Sequence, residues 1–319
     1  MNLIVTSLSR LVRSRFAWAL ATSAVLAVSA TVLTACGSGT VVSSLVPGAT
    51  AGGAGAPFIV FGDGLSDVGQ GASGTRFTVN DGGNVWVQTI AANYGLGISP
   101  QRTGGQGWAL GNARISQKVA GTPTVTEQID AFLAASKIGT SDVTIVSGGL
   151  SDIVALTTAY KAGSILAADV VSGAEQAGKD LAAQVRRLVA AGGTHVVVSG
   201  VYNLGKSPYA AGLGEAALLS QASTKFNTAL LVNIVDQGAN VLYIDAEYYL
   251  NLLINQPASY SFTNATAAAC TGPAETCTPA TIVPGTDYTK FVFADDKYPT
   301  PAAHAAFGAY AYNKLKARW

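Results

Sequence analysis

Two short stretches carry most of the groups that could do chemistry. Residues 62–67 (GDGLSD) place two carboxylates, Asp63 and Asp67, and one hydroxyl, Ser66, directly after an apolar run. Residues 293–304 (FADDKYPTPAAH) bring Asp295, Asp296, the phenol of Tyr298 and the imidazole of His304 close together in the chain. Acyl transfer by a covalent route needs a nucleophile, a base that activates it and a group that orients the base. Ser66 with His304 is one such pairing. Ser66 is equally the residue type that caps a helix beginning after a strand. Asp295 and Asp296 can be read as an acid/base pair, but neighbours in an extended segment point to opposite sides. His195, the only other histidine, opens an apolar run and reads as structural. Of the three cysteines, Cys270 and Cys277 lie seven apart. They form a disulfide if the chain leaves the cytoplasm. A metal pair is the rival reading, with no His or further Cys nearby to complete it. No dinucleotide fingerprint or phosphate loop occurs, so no cofactor is expected.

The elements that must hold these groups alternate. Apolar runs at 58–62 (FIVFG), 143–147 (VTIVS), 195–199 (HVVVS) and 240–244 (NVLYI) read as buried parallel strands. Residues 84–94, 126–136, 167–191, 214–236 and 300–317 read as helices. Strands separated by helices imply one α/β/α domain from 57 to 319, its parallel sheet covered on both faces. Sites in such sheets lie beyond the carboxyl ends of the strands. That directs attention to 62–68, 148–153, 200–206 and 245–248.

Composition sets the compartment. The chain has 319 residues, of which 49% are hydrophobic and 12% charged, with a net charge of +1. That balance excludes a basic nucleic-acid surface and an acidic disordered tail. Residues 1–35 combine Arg10, Arg13 and Arg15 with an uncharged apolar stretch, the pattern of a signal peptide. An uncleaved membrane helix is the alternative. Leu33-Thr34-Ala35-Cys36 resembles the bacterial lipobox, which implies acylation of Cys36 and a lipid-anchored envelope protein. Gly37 rather than Asp follows, and by that resemblance the outer membrane is favoured. Cleavage before Cys36 takes the net charge from +1 to −2. Residues 36–56, rich in Gly, Ala and Ser, read as a flexible tether.

Five blocks in order resemble the SGNH/GDSL ester hydrolases. They are residues 61–67 (FGDGLSD), 104–111 (GGQGWALG), 143–152 (VTIVSGGLSD), 192–208 (GGTHVVVSGVYNLGKSP) and 293–304. The resemblance implies a three-layer α/β/α sandwich with a central parallel, flavodoxin-like sheet, and an ester hydrolase ancestry. The family's catalytic positions fall on Gly64 for the Ser nucleophile, Gly105 and Ser151 for the oxyanion Gly and Asn, and Asp295 with Tyr298 for the Asp–His pair. Of these only Gly105 and Asp295 match. Glycine has no side chain to attack with. A phenol with an ordinary pKa of about 10 is a poor base at neutral pH. Asp295, without a His to orient, is expected to accept from the Tyr298 hydroxyl. Trp108 is placed to line a pocket wall, while Trp86 reads as core. Tyr248, Tyr249, Tyr260, Tyr288 and Tyr298 fall near the late loops, where their amphipathic rings suit a glycan or acyl ligand.

Three functions follow. The first is a pseudo-esterase lipoprotein that keeps a pocket for an acyl or glycan ligand without turnover. The second is an active esterase with a relocated nucleophile, Ser66 with His304. The third is a structural envelope protein, which a filled cleft at Gly64, Ser151 and Tyr298 would favour over an open one.

Overall fold

The computed structural model describes residues 58–119 and 121–319. The signal segment 1–35, the lipidation site Cys36 and the tether 36–56 expected from the sequence lie outside the described residues.

Four apolar strands build the sheet: β1 (Phe58–Phe61), β2 (Val143–Ser147), β3 (His195–Ser199) and β4 (Val241–Ile244). They are all parallel and lie side by side in that order, with Val60 opposite Ile145 and Val197, in turn, opposite Leu242. The free edge of β1 is not bare. Val60 N–H donates to Gln106 O and Trp108 N–H donates to Val60 O, at 2.9 and 2.7 Å. Residues 106–108 therefore run as an irregular parallel edge. Counting that edge, the order is 2-1-3-4-5, the flavodoxin-like arrangement with its switch point between β1 and β2.

Side chains of β1 alternate between the two faces, as a strand requires. Phe58 meets Tyr94 at the end of α1 (Trp86–Asn93), with ring centroids 5.7 Å apart. Phe61 meets Phe132 of α2 (Val125–Ala135) on the other face, at 5.6 Å. α1 packs with the closing helix α8 (Pro301–Arg318). α2 shares its layer with α4 (Ala167–Ala190) through an Arg187–Asp130 ion pair, and α4 lies along α6 (Ala216–Ile234). α4 is long because Val170, Ala174, Ala177, Leu181, Val185 and Leu188 form one continuous apolar stripe. All described residues fall within one compact unit with its own core, so this part is equipped to fold by itself. No helix among the described residues is long and apolar enough to cross a membrane.

The sequence reading left out α3 (Leu150–Lys161), α5 (Pro208–Leu213), α7 (Ala246–Asn255) and a small pair, β5 (Asn264–Ala268) with β6 (Phe291–Phe293). α3 starts directly after Gly148-Gly149, a dipeptide that looks like a loop. Gly149 is instead the left-handed N-cap of the helix, at φ +110°. Cys270 and Cys277 form a disulfide.

Candidate functional site

The carboxyl end of β1 is gripped before it reaches the turn. Gln128 of α2 donates to Gly62 O and accepts from Gly62 N–H, both at 2.9 Å, as a strand neighbour would. The chain then turns through Asp63, Gly64, Leu65 and Ser66 without forming a helix. Ser66 is therefore not a helix cap. Its Oγ lies 2.7 Å from Ser147 Oγ and accepts from Trp86 Nε1 at 2.9 Å. Asp67 ties this turn to the second block: its Oδ1 accepts from the amides of Gly69 and Gln70, and its Oδ2 accepts from Gly111 N–H at 2.8 Å.

Tyr298 fills the place of a side chain at position 64. A Cβ built on Gly64 would lie 2.7 Å from Tyr298 Oη and 2.9 Å from Phe77 Cγ, inside any real contact distance. The Phe77 and Tyr298 rings pack at 4.9 Å. Phe77 also covers Gly111, where a Cβ would sit 1.7 Å from the ring. Thr78 Oγ1 donates to Pro299 O, so the segments carrying Phe77 and Tyr298 are bound to each other. Tyr298 is 4% exposed, and its phenol is pushed well above its ordinary pKa by burial, then by nearby Asp63 and Asp295. It is neutral at physiological pH and is no base.

Asp295 does not accept from the Tyr298 hydroxyl as expected. Its Oδ1 accepts from the amides of Lys297 and Tyr298 at 2.8 and 2.7 Å, and its Oδ2 from Ala274 N–H at 3.0 Å. A backbone turn satisfies the carboxylate before any side chain can, and Ala274 lies within the Cys270–Cys277 loop. Asp296 faces away and pairs with Lys297. Ser151 stands in the first turn of α3 with its Oγ buried and unpartnered. Asp152 beside it is buried, with Arg114 Nε at 3.5 Å, and burial raises its carboxyl to about 6.

Gly105 lies elsewhere. Its N–H donates to Pro100 O, and a Cβ there would strike Ser99 O at 2.1 Å. Because Gly107 stands opposite Val60 in a parallel pairing, Gly105 sits toward the amino end of β1. The glycine of that block which reaches the turn is Gly111, six residues later. The spacing hides this, because only register along β1 distinguishes the two.

Asp63 is the remaining ionisable group at the turn. One carboxylate oxygen accepts from Leu65 N–H, and the other has no hydrogen-bond partner. Burial raises its pKa to about 6, against the pull of the Leu150 and Ser151 amides at the start of α3. The space beside it, between Leu65, Gly148, Leu150, Val201 and Tyr202, is about 10 Å³. That is room for roughly one water.

Ser66 and His304 are not a catalytic pair. Trp86 separates them: its ring N–H meets Ser66, and its backbone N–H meets His304 Nδ1 at 3.3 Å. Both side chains are fully enclosed, and burial lowers the His304 pKa to about 3. His195 packs edge-on against Trp319 at 4.8 Å. Trp86 is core as expected, and Trp108 packs on Phe61 and Phe132. Tyr249 stacks on Tyr310 and meets Tyr260, Tyr248 stands exposed beside them, and Tyr288 donates to Asp81, so these rings do not surround Tyr298. Among the described residues no group of three or more His, Cys, Asp or Glu could hold a metal.

The sequence pattern of the GDSL-like lipase/acylhydrolases matches residues 58–311. An uncharacterised protein from the trpE–trpG intergenic region of Pseudomonas putida is 26% identical over 291 residues, covering 82% of this chain. The chain spans about half of that relative, 48% of its length. Among solved structures, a carbohydrate acetylesterase from Sinorhizobium meliloti is similar at 13% identity and a TM-score of 0.44, covering 82% of this chain and 99% of that one. An aryl esterase of M. smegmatis is similar at 14% identity, also with a TM-score of 0.44 and the same coverage of both chains.

Proposed function

This chain belongs to the GDSL-like lipase/acylhydrolase family, and we propose that it is a member which no longer catalyses. In this reading it is an envelope lipoprotein, anchored through Cys36, whose domain serves as a scaffold rather than a hydrolase. One observation carries the catalytic part: the Tyr298 hydroxyl stands 2.7 Å from where a side chain at Gly64 would begin. The nucleophile is absent and its space is taken by a neutral phenol that cannot act as base. The loss of either group alone costs about 10⁶ in turnover in one hydrolase studied that way.

The scaffold reading is favoured over a retained acyl or glycan pocket at this site, because Tyr298 and Phe77 occupy the space beside Gly64 and the neighbouring space by Asp63 is only about 10 Å³. The relocated-nucleophile reading lacks an accessible hydroxyl and a charged or paired imidazole. The test is full-length protein extracted in detergent, exposed to a fluorophosphonate probe and to p-nitrophenyl acetate. No adduct on any serine and no hydrolysis above the buffer rate are expected. Labelling of Ser66, or turnover near that of an active relative, would overturn the proposal.

A further inference from the structure

The amino ends of β1, β2 and β3 border a groove of about 230 Å³. Phe58, Tyr94, Leu96, His195, Leu315 and Trp319 line most of it. Three of these leave much apolar surface in water: Tyr94 is 42% exposed, Leu96 39% and Trp319 38%. The two aromatics are nonetheless held in place. Trp319 rests on His195, and Tyr94 meets Phe58 and Tyr312 at 5.7 and 5.0 Å.

Basic side chains lie on the segments that lead to this end of the sheet. Lys137 lies in the loop before β2, and Lys316 and Arg318 precede Trp319 at the end of α8; all three are exposed. Arg318 also donates to Gly238 O and Ala239 O, so Lys137 and Lys316 are the free cations of the three, against one unpaired carboxylate, Asp142, among the two acidic side chains of the neighbouring loops. Asp142 accepts from Gly139 N–H, and Asp236 pairs with Arg186. This positive pole belongs to a chain whose charge without its leader is −2. The pole is also where the chain enters the domain, because Phe58 opens β1 and lines the groove. The residues from Gly37 to Pro57 carry no charge.

We propose that this pole is a docking face for an anionic phospholipid surface. Trp319, Tyr94 and Leu96 enter the boundary between headgroups and acyl chains. Lys137, Lys316 and Arg318 meet the lipid phosphates. The assignment rests on the envelope-lipoprotein reading, since an anchor joined at Phe58 keeps this end of the sheet nearest the bilayer. The filled end at Gly64 and Tyr298 then faces away.

The test separates the face from the anchor. The chain beginning at Gly37, made without leader and hence without acyl groups, is sedimented with vesicles. One set contains phosphatidylglycerol and phosphatidylethanolamine, the other phosphatidylcholine alone. Binding roughly tenfold stronger to the anionic set, and falling as salt is raised, is expected. Lys137→Glu with Lys316→Glu, or Leu96→Asp with Trp319→Asp, brings binding down to the phosphatidylcholine level. The melting temperature of either variant stays that of the parent. Equal binding to both vesicle sets, no binding, or binding unchanged in these variants overturns the proposal. Sedimentation equilibrium without lipid is expected to give a monomer; a dimer weakened by Trp319→Asp assigns the face to a second copy and overturns it too. The anchor is checked separately, by the mass of the amino-terminal peptide from membranes. An unacylated Cys36 sinks the lipoprotein reading and leaves the vesicle result standing.

Discussion

The two ends of the central sheet differ in a way that reverses the usual rule for α/β folds. Beyond the carboxyl ends of β1 and β2, where such folds hold their ligands, Tyr298 and Phe77 close over Gly64 and Gly111, and the neighbouring space beside Asp63 is about 10 Å³. At the amino ends, where ligands are seldom found, a groove of about 230 Å³ opens beside the exposed Tyr94, Leu96 and Trp319. In the proposed reading, the difference is that of a site that has closed. Removing the nucleophile alone would leave a hole, and a hole in a packed interior costs stability. In that reading Tyr298 stands where the resemblance places an imidazole, and its hydroxyl reaches the space that a side chain at position 64 would take. The loss at position 64 and the gain at position 298 fit each other physically.

The sharpest way to break that coupling is to reverse it. Gly64→Ser with Tyr298→His and Ser151→Asn is expected to raise p-nitrophenyl acetate hydrolysis at least about 10³-fold over the parent. Gly64→Ser alone is expected to give no activity and to lose about 1–3 kcal/mol of stability through overpacking against Tyr298. Combining it with Tyr298→His restores most of that loss, a coupling that a double-mutant cycle of urea midpoints reads directly. A Gly64→Ser protein that melts with the parent would show that the space is not filled.

A smaller effect is expected at Asp63. Its folded pKa of about 6 lies above the ordinary 3.8. Between those values the folded state holds the extra proton, so stability falls as pH rises through the window and the full penalty stands above it. That penalty is roughly 3 kcal/mol. Asp63→Asn is therefore expected to stabilise the protein at pH 8 and to lose this advantage near pH 4, as read from thermal unfolding across pH. His304 runs the other way. Its folded pKa of about 3 lies below the ordinary 6.5, so its contribution is lost as pH falls from 6.5 toward 3. The comparison at Asp63 is best made as a difference between parent and variant, in which His304 cancels.

The smallest effect belongs to the amino-end pole. Leu96→Ser and Trp319→Ala are expected to change stability by under about 0.5 kcal/mol each, as exposed side chains do. A loss well above 1 kcal/mol in either would make the groove part of the core rather than a face.

Much of this could be read from residue order. The strand runs were legible because FIVF, VTIVS, HVVVS and VLYI are mostly apolar, and most of their residues are buried. α4 and α8 were legible from periodicity and from the stops and caps around them. α3 was not, because Gly149 serves it as a cap while reading as a loop. Position 64 could be flagged from its block, but Phe77 could not. It lies between Gly64 and Gly111 only because Asp67 joins the first block to the second and Thr78 joins the adjoining segment to Pro299. Ser66 could be suspected as a nucleophile, and only Trp86 and Ser147 show that its hydroxyl is committed elsewhere.

The sequence by itself determined the family, the parallel α/β order and the presence of Gly64 and Tyr298 where the resemblance places Ser and His, because these depend on residue type and local pattern. Only the tertiary structure decided how much space lies beside Gly64. Its volume depends on distances between segments more than 200 residues apart, where one phenol and one phenyl ring either reach the gap or do not. The same holds for the opposite pole. Tyr94, Leu96, His195 and Trp319 carry no shared signal along the chain and line one groove only where the amino ends of the strands bring them together.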